Sequence, residues 1–148
     1  MSNRFTKMPG VSALKTPMPV ETIINSGHPF AIQRVTDALT TQEVIEAQRE
    51  LYLTPGYDPE TPVLWEINTV RVEIGFTDIL EMVEGSTELW SRMKGGKTAI
   101  LVAEPQDAAN ARLYKELAEA MPRELEVFIH YDDAISWLTA GVSAPKAL

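Results

Sequence analysis

The sequence predicts an α/β domain with a mainly parallel sheet, and two observations support this fold class. Short apolar runs alternate with longer segments of helical period, in the order strand, strand, helix, strand, helix, strand, helix, strand, helix. Residues 98–103 are apolar nearly throughout, which is typical of a strand covered on both faces. Because strands joined by helices of this length form right-handed crossovers, we expect a four- to five-stranded sheet with an antiparallel N-terminal strand and about four helices packed on it.

Length and composition set the outer limits of the molecule. The chain has 148 residues and is 45% hydrophobic, which is ordinary for one globular domain with its own core. We expect residues 21–140 to form that domain. Residues 1–20 are expected to be an N-terminal arm, and residues 141–148 a C-terminal tail of small and polar residues.

The absence of cysteine and the net charge exclude several function classes. Without cysteine there are no disulfides, thiolate metal sites or cysteine nucleophiles. The net charge of −8 argues against binding to nucleic acid or to anionic membranes. No apolar run is long enough to span a membrane and the N-terminus has no secretory signal, so we expect a cytoplasmic protein without membrane insertion.

The first predicted elements are a hairpin and a helix. Residues 22–24 and 30–35 are strand candidates on either side of a turn at 26–29, and the second strand alternates apolar and polar residues like a half-buried strand. Thr40 and Glu43 form a capping box for a helix that runs to about residue 53. The apolar face of that helix contains Val44, Ala47, Gln48 and Leu51.

The most informative segment is residues 62–90, a strand and a helix joined by an irregular passage. The strand spans residues 63–67 and is closed by Asn68. Thr77 is predicted to cap the following helix, where Asp78 suits the positive end of the helix dipole. Gly85 and Ser86 are expected to bend this helix. Its apolar stripe consists of Ile79, Met82, Val83, Leu89, Trp90 and Met93.

Two further helices and two strands complete the prediction. Residues 94–97 end the second helix and lead into the strand at 98–103. Pro105 can open the third helix, and Pro122 closes it. The third helix carries apolar residues at steps of four: Ala109, Leu113, Leu117 and Met121. After a strand at 125–129, Asp132 or Asp133 would cap a last helix that contains Ala134, Ile135, Trp137 and Leu138.

No catalytic motif is visible. Residues 94–98 have the composition of a phosphate-binding loop, but they precede a strand instead of following one, so we interpret them as a helix stop and turn. His130 is expected at the carboxyl end of the last strand, where ligands gather in open α/β sheets. Glu66 and Glu104 could form a carboxylate pair, or they are polar strand ends that spacing alone does not bring together. No metal site and no cofactor is expected.

Several segments together resemble a known bacterial family. They are residues 63–67 (VLWEI), 95–102 (GGKTAILV), 111–114 (ARLY), 127–128 (VF) and 132–138 (DDAISWL). With them, residues 30–140 resemble the STAS-like domains, which are related to the anti-sigma-factor antagonists of sporulation. The chain is most similar to the branch that shares features with CRAL-TRIO lipid-binding domains.

The resemblance implies a four- or five-stranded sheet with helices packed against it and a non-enzymatic role. In the antagonist branch, a partner kinase phosphorylates a Ser or Thr at the start of the helix after the third strand. The matching position here is Thr77, although Phe76, Thr77, Asp78 and Ile79 stand in place of the D-S-S-G-like signature of that branch. Thr77 is therefore either a phosphoacceptor or a plain helix cap.

Three function hypotheses follow. The first is a regulatory domain that binds a protein partner, and the second is a carrier or sensor of a small apolar ligand or lipid, held between sheet and helices under residues 79–93. The third is an enzyme that uses Glu66, Glu104 or His130. A homodimer through an edge strand or the arm is compatible with each. The expected partner or ligand surface consists of Asn68, Arg71, Phe76, Thr77, Asp78, Glu104 and His130.

Overall fold

A computed structural model of the chain describes residues 20–37, 39–67 and 75–140, which form one five-stranded sheet with helices on both faces. The predicted tail, and the predicted arm up to residue 19, lie outside the described residues. The strands are β1 Val20–Ile23, β2 Ala31–Val35, β3 Val63–Glu66, β4 Lys97–Leu101 and β5 Glu124–Phe128. The helices are α1 Thr41–Tyr52, α2 Phe76–Ser86, α3 Pro105–Leu117 and α4 Tyr131–Thr139, and a 3₁₀ helix, Thr87–Arg92, follows α2.

The strands lie side by side in sequence order. β1 is antiparallel to β2, and β2, β3, β4 and β5 are parallel to one another. Each right-handed crossover therefore steps in the same direction across the sheet, which places α1, α2 and α3 on one face. The last helix, α4, packs on the opposite face over β3, β4 and β5. The predicted fold class is confirmed.

The core is divided by the sheet into two layers. Between the sheet and α1–α3 lie Val35, Val63, Trp65 and Ile100, whereas Leu64, Ala99 and Leu101 pack against α4. Alternate residues of one strand thus enter different layers, as the pleat of a strand requires.

Strand β2 is covered on both faces, so the prediction of a half-buried strand was wrong for it. Ala31, Gln33 and Val35 are fully buried on the face that α1 covers, and Ile32 is buried on the other face. Only Arg34 within this strand keeps partial exposure. The polar Gln33 is therefore a core residue.

The capping box of α1 is confirmed. The Glu43 N–H donates to the Thr40 hydroxyl oxygen at 3.3 Å, and the Thr40 N–H donates to the Glu43 carboxylate at 3.0 Å. All four residues predicted on the apolar face of α1 are buried.

The predicted cap of α2 was wrong. Gly75 is the N-cap residue, the helix begins at Phe76, and the Gly75 N–H donates to the Asp78 carboxylate at 2.9 Å. Asp78 therefore accepts from the backbone at the helix start, and Thr77 lies within the first turn. The structure confirms a change near Gly85, because the α-helix becomes a 3₁₀ helix after Ser86. Five residues of the predicted stripe are buried, and Trp90 is half-buried.

The register of α3 and the cap of α4 also differ from the prediction. In α3 Ala109 is exposed, and the buried face instead carries Ala108, with Ala111 and Tyr114 packed against the core. The core face of this helix therefore does not coincide with its largest aliphatic residues. The α4 helix begins at Tyr131 with His130 as N-cap residue, so neither Asp132 nor Asp133 is the cap.

No helix among the described residues is both long and apolar enough to cross a membrane.

Candidate functional site

A partly open cavity of about 100 Å³ lies between the sheet and the α1–α3 layer. Its lining is mostly apolar, and Trp65 and Ile100 form part of the sheet side. The helix side includes Val44 and Tyr52 from α1, Ile79 and Met82 from α2, and Ala111 and Tyr114 from α3. The cavity thus lies under α2, where the second hypothesis expected it.

Two glutamine side chains bring polar groups to this apolar cavity. Gln33 projects from β2, and its amide nitrogen donates to the Ala47 carbonyl at 2.8 Å. Gln48 follows Ala47 in α1, and its amide nitrogen donates to the Tyr114 hydroxyl at 3.2 Å. Both side chains line the cavity, and their amide oxygens have no hydrogen-bond partner among the described residues.

The tyrosine hydroxyls at the cavity are neutral at neutral pH. Burial raises the pKa of the Tyr114 hydroxyl, whose oxygen accepts from the Gln48 amide nitrogen. Burial likewise raises the pKa of Tyr52, another lining residue. Desolvation favours the neutral form of a phenol, so both hydroxyls stay protonated and can donate or accept.

Arg123 closes the cavity near the amino ends of the strands. Its guanidinium donates to the carbonyls of Pro59 at 2.7 Å, Thr61 at 3.0 Å and Lys97 at 2.7 Å. It also donates to the Thr98 hydroxyl at 3.2 Å and, more weakly, to the Lys94 carbonyl at 3.5 Å. The five N–H groups of the guanidinium are thereby occupied by protein acceptors.

The opposite face of the sheet carries an ion pair. Arg34 Nε lies 2.5 Å from Glu66 Oε1, and Arg34 Nη1 lies 3.9 Å from Glu21 Oε1. The hydrogen bond to Glu66 raises the pKa of Arg34 above its ordinary value. The Glu66 carboxylate on β3 is therefore paired with Arg34 on the neighbouring strand β2.

The sequence-predicted site residues are spread over several places. Asn68 and Arg71 lie outside the described residues. Phe76 is 58% exposed, and Thr77 beside it is exposed as well. Glu104 and His130 are the exposed N-cap residues of α3 and α4.

None of the described predicted site residues lines the cavity. The binding and phosphorylation roles of these residues stay predictions. The described residues contain no group of three or more metal-ligating side chains.

The polar residues of the cavity were not recognised as a site from the sequence. Gln48 carried a usable signal, because a glutamine stood on an otherwise apolar helix stripe. Gln33 had a weaker one: its position in β2 places it on the same face as Ala31 and Val35. Tyr114 was noted only as part of a family-like segment.

Sheet order and helix layers define a SpoIIAA-like α/β fold, the fold of the STAS-like domains. The chain is similar to an uncharacterized protein from the DUF3478 family with a SpoIIAA-like fold from Shewanella loihica PV-4, with a TM-score of 0.53 and 16% sequence identity. The alignment covers 80% of this chain and 91% of that one. At this identity the similarity establishes the fold, and the predicted STAS-like fold is confirmed. No protein-family model and no curated protein matches the chain.

Proposed function

We propose that this protein is a non-enzymatic binding domain that holds a small, mostly apolar ligand between its sheet and the α1–α3 layer, as a carrier or a sensor. The cavity of about 100 Å³ is the observation that supports this proposal. Protein interiors are normally close-packed, so a partly open cavity of this size between the sheet and the helices needs a reason.

The energetic cost of the void supports a functional role. A fully enclosed core cavity of this volume would cost about 2 kcal/mol, at about 24 cal/mol per Å³, and this figure is the upper bound for the partly open cavity seen here. That amount is a substantial part of the stability of a small domain. A ligand that fills the cavity would recover it.

Native mass spectrometry of gently purified protein tests this function. We expect a bound small molecule in the wild-type protein and in Ala109→Phe, which alters an exposed position of α3. We expect none in Ala111→Phe, because Ala111 lines the cavity and a phenyl ring would fill it. Absence of any bound molecule in the wild type, together with no binding of added apolar ligands, would refute the proposal.

A second candidate function, binding of a protein partner, has its own supporting observation. Phe76 is 58% exposed at the first residue of α2, while Ile79 and Met82 of the same helix line the cavity. Helix α2 would thus contact the ligand on one side and the partner on the other. A ligand in the cavity could shift α2 and thereby change the surface that the partner binds. A phosphate on the neighbouring Thr77 would lie at the positive end of the helix dipole.

A matched pair of substitutions tests the partner hypothesis. Once a partner is known, Phe76→Ser is expected to abolish its binding, and Leu53→Ser, at another exposed apolar residue, is expected to retain it. Equal binding by both variants would exclude the α2 surface. Phosphorylation of Thr77 is tested separately by incubation with candidate bacterial kinases. If none of them modifies Thr77, the hypothesis of a phosphorylation switch is refuted.

A further inference from the structure

Two buried oxygen atoms at the cavity lack a hydrogen-bond donor, and this determines what kind of ligand fits. Gln33 is fully buried and Gln48 is 8% exposed. No described residue donates to Oε1 of either side chain. A buried polar atom left without a partner costs about 1–3 kcal/mol, so each oxygen favours a ligand that brings a donor.

The orientation of the Gln33 amide is fixed by its neighbours. Its nitrogen donates to the Ala47 carbonyl at 2.8 Å and to the Thr22 hydroxyl at 3.3 Å. A flipped amide would place two oxygen atoms against each other at Ala47, which is repulsive. The Gln33 oxygen is therefore a buried acceptor without a donor, on a side chain that lines the cavity.

The Gln48 amide is oriented by its nitrogen, which donates to the Tyr114 hydroxyl oxygen at 3.2 Å, while no described residue donates to its oxygen. The Gln48 oxygen is left as a second free acceptor.

The charges around the cavity disfavour an anionic ligand. Arg123 is a lining cation, but its N–H groups are occupied by carbonyls and the Thr98 hydroxyl. A fatty acid or another carboxylate would therefore meet the two amide oxygens, while the N–H groups of Arg123, the one cation among the described lining residues, already donate to protein acceptors.

From these observations we infer that the ligand is a neutral molecule with a mostly apolar body and a hydroxyl donor, such as a small alcohol or a phenol. The amide oxygen of Gln33 or that of Gln48 accepts from that donor, and Trp65, Ile79 and Met82 line the space for the apolar part. This inference rests on the proposed function, because it identifies the ligand class of the same cavity.

Three probes of similar size and different head group test the inference. Phenol carries a hydroxyl donor, toluene replaces it by a methyl group, and benzoate carries a carboxylate. We expect phenol to bind about tenfold more tightly than toluene, as one hydrogen bond to a buried acceptor would give, and benzoate to bind most weakly. Chemical shifts of the glutamine side-chain amides in ¹⁵N-labelled protein report the site.

Substitutions at the two glutamines provide the second test. Gln48→Met is expected to reduce the preference for phenol over toluene several-fold, and Gln33→Met to act in the same direction. Gln42→Met is the control, because Gln42 lies on the exposed side of α1 and pairs with Glu46. It is expected to retain the full preference.

The possible outcomes separate this inference from the proposed function. Equal binding of toluene and phenol, or tightest binding of benzoate, would overturn the ligand class and leave a functional cavity. Binding of none of the probes in a folded protein would count against both. If a glutamine variant does not fold, the comparison of the three probes on the wild-type protein still decides the ligand class.

Discussion

Arg123 and Gly96 show how a single residue controls the packing near the cavity. The Arg123 guanidinium is buried among backbone carbonyls, and Gly96 provides the space beside it. A Cβ atom at Gly96 would lie 2.6 Å from Arg123 Nη1 and 2.8 Å from the Glu60 carbonyl oxygen. Any side chain there would displace the hydrogen-bonded guanidinium or the backbone.

Gly96→Ala is therefore expected to lower the free energy of unfolding by about 1–3 kcal/mol, the usual effect of overpacking. Gly95→Ala is the matched control, because a Cβ atom there has no heavy atom within 4 Å beyond its chain neighbours. It should change the stability by less than about 0.5 kcal/mol. Urea unfolding measures both, and equal effects of the two substitutions would contradict the close approach at Gly96.

Buried tyrosines make the stability sensitive to alkaline pH. Burial raises the pKa of Tyr52, Tyr57 and Tyr114 above the ordinary value of about 10. The pKa of each of these tyrosines is higher in the folded than in the unfolded protein. Their contribution to the stability is therefore fully present below about pH 10 and is lost as the pH rises toward the folded pKa.

The free energy of unfolding is expected to fall above about pH 10, with each buried tyrosine contributing up to about 1.4 kcal/mol per pH unit. Urea unfolding at a series of pH values, with tyrosinate absorbance as a second readout, measures this dependence. Tyr57→Phe removes one titrating group and should make the dependence shallower. A stability independent of pH up to about pH 11 would refute this explanation.

At the scale of elements, the two helix starts on the α1–α2 side differ in how they are capped. The Thr40 side chain accepts from the backbone of α1, whereas α2 is capped from Gly75 and Asp78 without the side chain of Thr77. The sequence predicted both caps from the same residue type. It was right for Thr40 because Glu43 completes the reciprocal box, and wrong for Thr77 because the N-cap residue of α2 is Gly75, two residues earlier.

Thr40→Ala should lower the stability by about 1 kcal/mol, the usual contribution of an N-cap side chain. Thr77→Ala should change it by less than about 0.5 kcal/mol, since Thr77 is exposed and makes no cap. Thermal or urea unfolding of the two variants measures the difference. A larger effect at Thr77 than at Thr40 would contradict the assigned start of α2.

In helix α3 the spacing of large apolar residues did not identify the buried face. Leu113 and Leu117 are only half-buried, while Ala108 is buried and Ala111 and Tyr114 pack toward the cavity. The predicted stripe was based on the largest apolar side chains. These do not identify the core face of α3, because alanines occupy that face. The residues around the cavity were harder to predict for the same reason, because a void is a property of the packing of several elements.

For the whole molecule, the order of strands and helices was predictable and the cavity was not. The alternation of apolar runs with helical segments defines the crossovers, and these fix α1–α3 on one face. Gln33 and Gln48 come from different elements, and only the packing of α1 on β2 brings them to one cavity. The surface residues chosen from the sequence lie at element ends, where local signals are clear but contacts across the fold are not visible.

We propose that the space between the sheet and α1–α3 accepts an apolar ligand. A crystal of the protein held under xenon pressure tests it most directly, because xenon enters apolar cavities without needing a specific head group. We expect a xenon peak in contact with Trp65 and Met82 in the wild-type protein, and no such peak in Ala111→Phe. Closely packed side chains without xenon at this position in the wild type would contradict the claim.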